Sequence, residues 1–275
     1  MSRLEGALQA LRDLDELSTR SNGLTRRDPR AQLITTGAFI VTVVSFGRHE
    51  VAALLPLAAY PLVLAAQGQV SGRLLRQALW LGAPFALMVG IFNPWFDRAP
   101  VWTLGGLAVA GGWFSLASIL LRMALTVSAT VVLVAGTGMP ALGAALARLG
   151  VPAVLTVQLQ FLYRYLFVLA DQARRMATAR QLRGGGAHAM SLATYGSLLG
   201  HLLLRAFDQA QRVHQAMLAR GYSGTLPQAR GVRWRWGDTL FVAAWCACFV
   251  LARSVPLPHA LGAGLAGLLR AVGAV

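Results

Sequence analysis

Apolar runs separated by short polar breaks set the pattern of this chain. Residues 31–46, 51–66 and 78–92 are three such runs, each close to the length of a membrane-crossing helix. Pro56 and Pro61 kink or break the second, and Asn93-Pro94 ends the third. Gly47-Arg48-His49-Glu50 is a tight loop, and residues 67–77 form a polar connector carrying Arg73 and Arg76. Residues 93–102 read as a loop rich in Trp and Pro, as suits a membrane interface. Residues 104–136 favour one main span, near 115–134, over two short ones. Arg122 falls inside it, and a lone Arg at the bilayer centre costs about 3 kcal/mol or more. Arg122 is therefore placed near an interface or against other helices.

The pattern changes after Pro140. Residues 154–183 and 192–221 read as two long amphipathic helices, each on the order of 45 Å at a rise of about 1.5 Å per residue. Gly184-Gly185-Gly186 ends the first, and Gly221 and Gly224 end the second. The apolar stripe of the second contains Leu199, Leu202, Leu203, Phe207, Val213 and Met217, with Asp208 and Arg212 spaced for an i,i+4 ion pair. Trp234 and Trp236, interleaved with Arg233 and Arg235, mark a return to the membrane interface. Residues 239–252 form another apolar run, and 257–272 offer a last one beyond Pro256 and Pro258.

Composition sharpens this reading. Of 275 residues, 56% are hydrophobic and 13% charged, which excludes an ordinary soluble domain. The net charge is +15, and every basic side chain is Arg. Arg is dense before residue 31, at 73–76 and from 164 to 235, where eleven Arg face only Asp171 and Asp208. The positive-inside rule puts those segments, and the N-terminus, in the cytoplasm, and it explains the charge without nucleic acid. The predicted class is all-α: a polytopic membrane protein with about five or six transmembrane helices and two long amphipathic cytoplasmic coupling helices. Its expected parts are a cytoplasmic N-terminal segment (1–30), a transmembrane region (31–140), a coupling region (141–236) and a C-terminal transmembrane region (237–275). The polar N-terminal stretch argues against a cleavable signal peptide.

Candidate chemistry is sparse. Cys246 and Cys248 lie two apart in an apolar run, a poor geometry for a disulfide. His49, His188, His201, His214 and His259 are dispersed without chelating spacing, so neither a metal site nor a cofactor site is expected. Gly184–Gly186 is no phosphate loop, since the chain contains no Lys, and no hydrolase motif appears. Asp97, Arg98 and Asp238 are too isolated for a catalytic constellation. What stands out is a repeat. Arg180-Gln181-Leu182-Arg183-Gly184 and Met217-Leu218-Ala219-Arg220-Gly221 both close a long helix on Arg-Gly. An Arg there complements the helix dipole and presents a forked cation to an acidic or carbonyl-lined groove.

The residues around the repeat carry a resemblance. Leu149-Gly-Val-Pro152, Tyr163 through Asp171, Arg180 through Gly184, Gly196 through Gly200 and Arg212 through Tyr222 resemble the energy-coupling T component of ECF-type importers. The likeness is nearest to the cobalt branch, the CbiQ family, whose N-terminal signature is similar to Leu14-Asp-Glu-Leu17 and Arg27-Asp-Pro-Arg30. It is specific over about 149–224 and weak in the apolar runs. The resemblance implies a non-catalytic subunit in the bacterial inner membrane, with two ATP-binding ATPase subunits and a substrate-binding S-type membrane subunit as partners beside the lipids. In that family two Ala-Arg-Gly signatures dock on the ATPases. Ala219-Arg220-Gly221 matches fully, whereas Leu182-Arg183-Gly184 departs at the alanine; Arg180 and Met217 support the two ends. Cobalt is the implied substrate, with nickel close behind. Two other classes stay open: a stand-alone channel or permease, and a membrane-embedded transferase.

Overall fold

The computed structural model describes residues 23–24, 27–47, 50–96, 100–104, 107–183, 192–224 and 234–254. The last apolar stretch (257–272), Asp97, Arg98, Gly184–Gly186 and all but Gly23, Leu24 and 27–30 of the N-terminal segment lie outside them. The described chain falls into two compact units, one of residues 23–138 with 234–254 and one of residues 139–224. The protein is an all-α polytopic membrane protein. Among the described residues four segments are long and apolar enough to cross a membrane: Val51–Gly68, Gly111–Thr137, Ala153–Arg183 and Trp236–Ser254.

In the first unit α1 spans Pro29–Ser45. Asp28 caps it, accepting from the Arg30 N–H at 2.9 Å, and Pro29 occupies the first turn, where its missing N–H is harmless. The second apolar run is helix α2 (Val51–Leu54), a 3₁₀ turn (Pro56–Ala58) and helix α3 (Ala59–Gly68). Pro56 forces the 3₁₀ turn, while Pro61 sits in the first turn of α3, where no intrahelical N–H is needed. The expected connector 67–77 is shorter than read. Gln69 turns the chain in the left-handed region (φ 50°), and α4 already begins at Gly72 and runs to Gly90. Arg73 and Arg76 are thus helical.

The loop expected over 93–102 also differs. A short helix α5 (Asn93–Phe96) is followed by an antiparallel hairpin, β1 (Pro100–Leu104) and β2 (Leu107–Ala110). The Trp and Pro residues that suggested an interfacial loop do not exclude extended backbone, and Val101, Trp102 and Val109 favour it. A single helix α6 (Gly111–Thr137) then crosses, as the one-span reading expected. The final described helix, α10 (Trp236–Ser254), packs on α1.

The core joins α1, α3, α6 and α10. Phe39 stacks on Tyr60 at 4.6 Å between ring centres, and Tyr60 meets Trp245 and Phe249 edge-on at 4.9 and 5.3 Å. The Tyr60 hydroxyl and Thr36 Oγ1 share a hydrogen bond of 2.8 Å, which satisfies both buried groups. Arg122 does face another helix. Its Nη2 donates to the carbonyls of Phe46 (2.8 Å) and Gly47 (2.6 Å) at the C-terminal end of α1, where the helix dipole is negative. Arg253 stacks over Phe46 at 5.0 Å.

The opposite end is held by two contacts that the pattern of apolar runs did not reveal. Leu24 is fully buried between Gly68 and Gly136: a methyl added to either glycine would lie 2.6 or 2.5 Å from Leu24 Cδ1. Gln32 Nε2 donates to the Leu24 carbonyl at 2.7 Å, and Thr137 Oγ1 donates to Gln32 Oε1 at 2.8 Å. Beside them, the Asp238 carboxylate accepts from the N–H of Asp28 (3.2 Å) and of Arg235 (2.9 Å). It thereby ties the first turn of α10 to the cap of α1. Asp238 is no longer isolated, but its role is structural.

Two outcomes follow from these contacts. Gly136→Ala should expel or strain Leu24 and destabilise the first unit by about 2 kcal/mol or more. Adding Leu24→Ala should cost less on the Gly136→Ala background than alone, measured as a double-mutant cycle on thermal unfolding in detergent. Asp238→Ala leaves one buried and one part-buried N–H group without an acceptor and should cost about 1–3 kcal/mol, whereas Asp238→Asn keeps one acceptor and should cost clearly less. Equal melting temperatures for the two Asp238 variants would refute the clamp.

Candidate functional site: two cationic helix ends

The second unit contains α7 (Met139–Arg148), α8 (Ala153–Arg183) and α9 (Leu192–Ala219). Helix α7 was not anticipated. It ends on Gly150 (φ 93°), with the Val151 N–H donating to the Leu146 carbonyl at 3.1 Å. Gly143 of α7 lies against Gln160 of α8, with no room for a larger side chain unless Gln160 moves. Helices α8 and α9 pack on each other and match the two long helices read from the sequence within one or two residues at each end.

The end of α9 is built by a Schellman turn. The Tyr222 N–H donates to the Met217 carbonyl at 3.0 Å, and the Gly221 N–H donates to the Leu218 carbonyl at 3.0 Å. Gly221 adopts φ 78°, a conformation glycine takes without a Cβ penalty. The carbonyls that would end the helix unpaired are thereby closed back on the chain. Arg220 sits at the cap, and Ala219, Arg220 and Gly221 are all exposed. Met217 supports the turn through its carbonyl, and its side chain is half-buried toward the unit.

The end of α8 is made differently. Arg180, Leu182 and Arg183 are exposed in its last turn, and Leu182 is 81% accessible. Gly184, the partner of Arg183 in the repeat, lies outside the described residues. Arg183 and Arg220 make no ion pair with any described residue. The unit has nine Arg over 139–224 and two acids, so most of its charge is uncompensated. Of the acids, Asp171 binds Arg175 through Nε at 3.0 Å and Nη2 at 2.8 Å. The expected Asp208–Arg212 pair does not form. Arg212 Nη2 donates instead to Gln209 Oε1 at 3.1 Å, a partner one residue closer in the turn.

The apolar stripe of α9 also divides in two. Leu198, Leu202, Ala206, Gln209, Val213 and Met217 are half-buried and form the inner face. Tyr195, Leu199, Leu203 and Phe207, spaced four apart, are 56–71% exposed and form an outer ridge. Of the stripe read from the sequence, Leu202, Val213 and Met217 thus face inward and the other three face out. The signal for two faces was present: apolar side chains occupy both a 198-type and a 199-type register. On α8 the Gln172 Oε1 and Arg174 Nε atoms are shielded from solvent without a partner, an unsatisfied pair that no motif announced.

Among the described residues no three His, Cys, Asp or Glu side chains converge into a metal-holding group. His201 and His214 are both exposed on α9, and Cys246 and Cys248 are unpaired on α10. What the described residues offer is two exposed arginines, each closing a long helix.

Comparison with known proteins agrees with the resemblance. The cobalt transport protein CbiQ of Salmonella typhimurium is 31% identical over 121 residues, 40% of this chain and 54% of that protein. The cobalt transport protein CbiQ of Rhodobacter capsulatus is 35% identical over 82 residues, 30% of this chain and 34% of that one. An uncharacterized protein of Methanocaldococcus jannaschii, MJ1089, is 33% identical over 82 residues, 29% of this chain and 30% of its own length. The chain thus spans about a third to a half of the length of these relatives. The family model described as cobalt transport protein, CbiQ, matches residues 20–230, which include both Arg-Gly ends and most of the two units. The chain belongs to the CbiQ family of cobalt transport proteins.

Proposed function

We propose that this chain is the energy-coupling membrane subunit of an ATP-driven importer for cobalt ions. The observation that carries the reading is the pair of exposed arginines, Arg183 and Arg220, each ending a helix of 31 or 28 residues and each without an acidic partner among the described residues. Two ATP-binding subunits would each receive one end in an acidic or carbonyl-lined groove. Closure of the ATPases on ATP draws the ends together. Helices of this length, packed along each other, carry that displacement over on the order of 40 Å without chemistry of their own. A separate substrate-binding membrane subunit would take up the motion. The outer ridge Tyr195–Leu199–Leu203–Phe207 is apolar enough to need such a partner.

The charge layout supports an orientation. The first eighteen residues of α8 contain one charge, Arg164, while 171–183 contain Asp171 and four Arg. The apolar half of α8 explains why its length and composition match a membrane span. In this reading that half lies against the bilayer or a membrane partner, and the cationic half stands in the cytoplasm. The N-terminus is on the same side. The cargo is cobalt by kinship with the CbiQ proteins, whose names carry that activity.

The two ends differ in a way that ranks them. Ala219 leaves Arg220 clear, and the Schellman turn fixes its position, whereas Leu182 sets a bulky exposed side chain beside Arg183. Arg183→Glu with Arg220→Glu should abolish both ATPase co-purification and cobalt uptake; unchanged co-purification and uptake would sink the docking reading. As single changes, Arg220→Ala should weaken ATPase association more than Arg183→Ala, by roughly tenfold against a smaller loss, on the scale of interface anchor residues. Gly221→Ala meets open space but an unfavourable backbone, and should lower α9 stability by about 1 kcal/mol in a thermal melt.

A further inference from the structure

The outer face of α4 carries cations, then an aromatic ring, then aliphatic side chains, in order of depth. Arg73 and Arg76 lie in its first turns, and with Gln77, Trp80 and Leu81 they line a shallow depression of about 520 Å³. Both arginines are exposed, and neither pairs with a described residue. The first turn of α4 contains no acid, and Ser71 does not cap it through its side chain. Two cations at a helix N-terminus oppose the helix dipole, so this end favours an anion brought from outside.

Farther along the same face, Trp80, Leu81, Phe85 and Met88 are 72–80% exposed. The opposite face is taken up by α6: an added methyl at Gly82 would lie 3.1 Å from Met123 Sδ, and one at Gly90 would lie 3.5 Å from Leu116 Cγ. The outer column is therefore not a core face turned the wrong way. From Arg76 to Met88 it rises roughly 18 Å, close to the hydrocarbon depth of one leaflet, about 15 Å.

We propose that this face of α4 binds an anionic phospholipid, with Arg73 and Arg76 on the phosphate, Trp80 at the glycerol level and Phe85 and Met88 along an acyl chain. Charge decides for an anionic headgroup over a zwitterionic one. A choline or ethanolamine ammonium beside the phosphate would be repelled by Arg73 and Arg76, with no described acid free to offset them. The described acids of this unit are Asp28, Asp238 and Glu50. Asp28 is bound to Arg30 and Asp238 to two backbone N–H groups, while Glu50 accepts from Gly47 at the far end of α1. The inference rests on the membrane-spanning fold and not on ATPase coupling, so loss of the docking reading would leave it standing.

The test uses the full chain purified in mild detergent from an equimolar mixture of phosphatidylcholine and phosphatidylglycerol, with retained lipids counted by native mass spectrometry. The wild type should retain phosphatidylglycerol selectively. Arg73→Gln with Arg76→Gln should lose that selectivity by roughly tenfold, and Arg73→Lys with Arg76→Lys, which keeps the charge, should keep most of it. Equal selectivity in wild type and the Gln pair overturns the proposal. So does protection against heat by inorganic phosphate as strong as that by phosphatidylglycerol, which would mean a phosphate site and not a lipid site. A third arm uses Trp80→Cys in a Cys246→Ser, Cys248→Ser background. If a co-purified protein subunit, and not lipid, shields that cysteine from labelling, the face is a protein interface and the proposal fails.

Discussion

Two buried carboxylates hold the membrane unit together at one end. Asp28 caps α1 and is neutralised by Arg30 through Nε at 3.1 Å and Nη2 at 2.9 Å. Asp238 accepts the N–H of Asp28 and the N–H that starts α10. Helix N-termini leave N–H groups unpaired, and a buried one such as that of Asp28 has no water to turn to. Placing two N-termini side by side would double the problem. One carboxylate shared between them solves it and fixes the register of α10 on α1. The aromatic cluster of Phe39, Tyr60, Trp245 and Phe249 can form because that register is set.

Arginine appears here in two physical roles. Inside the unit, Arg122 neutralises the carbonyl end of α1, Arg27 lies 4.2 Å above the Phe241 ring, and Arg30 completes a carboxylate pair. These guanidinium groups are spent on their own chain. Arg183 and Arg220 are exposed at helix ends and pair with no described acid, so their guanidinium groups are not engaged by the described residues. The contrast is one of partners, since the residue type is the same throughout.

Much of this was legible in the sequence. Three of the four segments fit to cross a membrane, Val51–Gly68, Gly111–Thr137 and Trp236–Ser254, lie on apolar runs read from the sequence. The fourth is α8, read there as cytoplasmic, and the bounds of α8 and α9 followed from period and glycine stops. The Arg-Gly repeat is plain in the order of residues alone. What escaped the sequence was non-local. Asp28 and Asp238 are 210 residues apart, and no period links them. Leu24 sits in a polar stretch, and its slot is made by two glycines 68 residues apart from each other in the chain, Gly68 and Gly136. The hairpin at 100–110 was hidden because short apolar stretches fit strand and helix alike. The outer ridge of α9 was read as one stripe with the inner face, because a helix apolar on two sides blurs the assignment of either.

The grip on the last turn of α6 has a mechanical meaning. Thr137 is bonded to Gln32, and Gly136 is wedged by Leu24, so the turn cannot fray as helix ends usually do. Immediately after it comes Gly138, at φ 80°, and then the first residue of α7. Gly138, in the left-handed region, thus ends α6 directly after the clamped turn. A pull on Thr137 is therefore passed to α1 through Gln32, and the last turn of α6 resists unwinding.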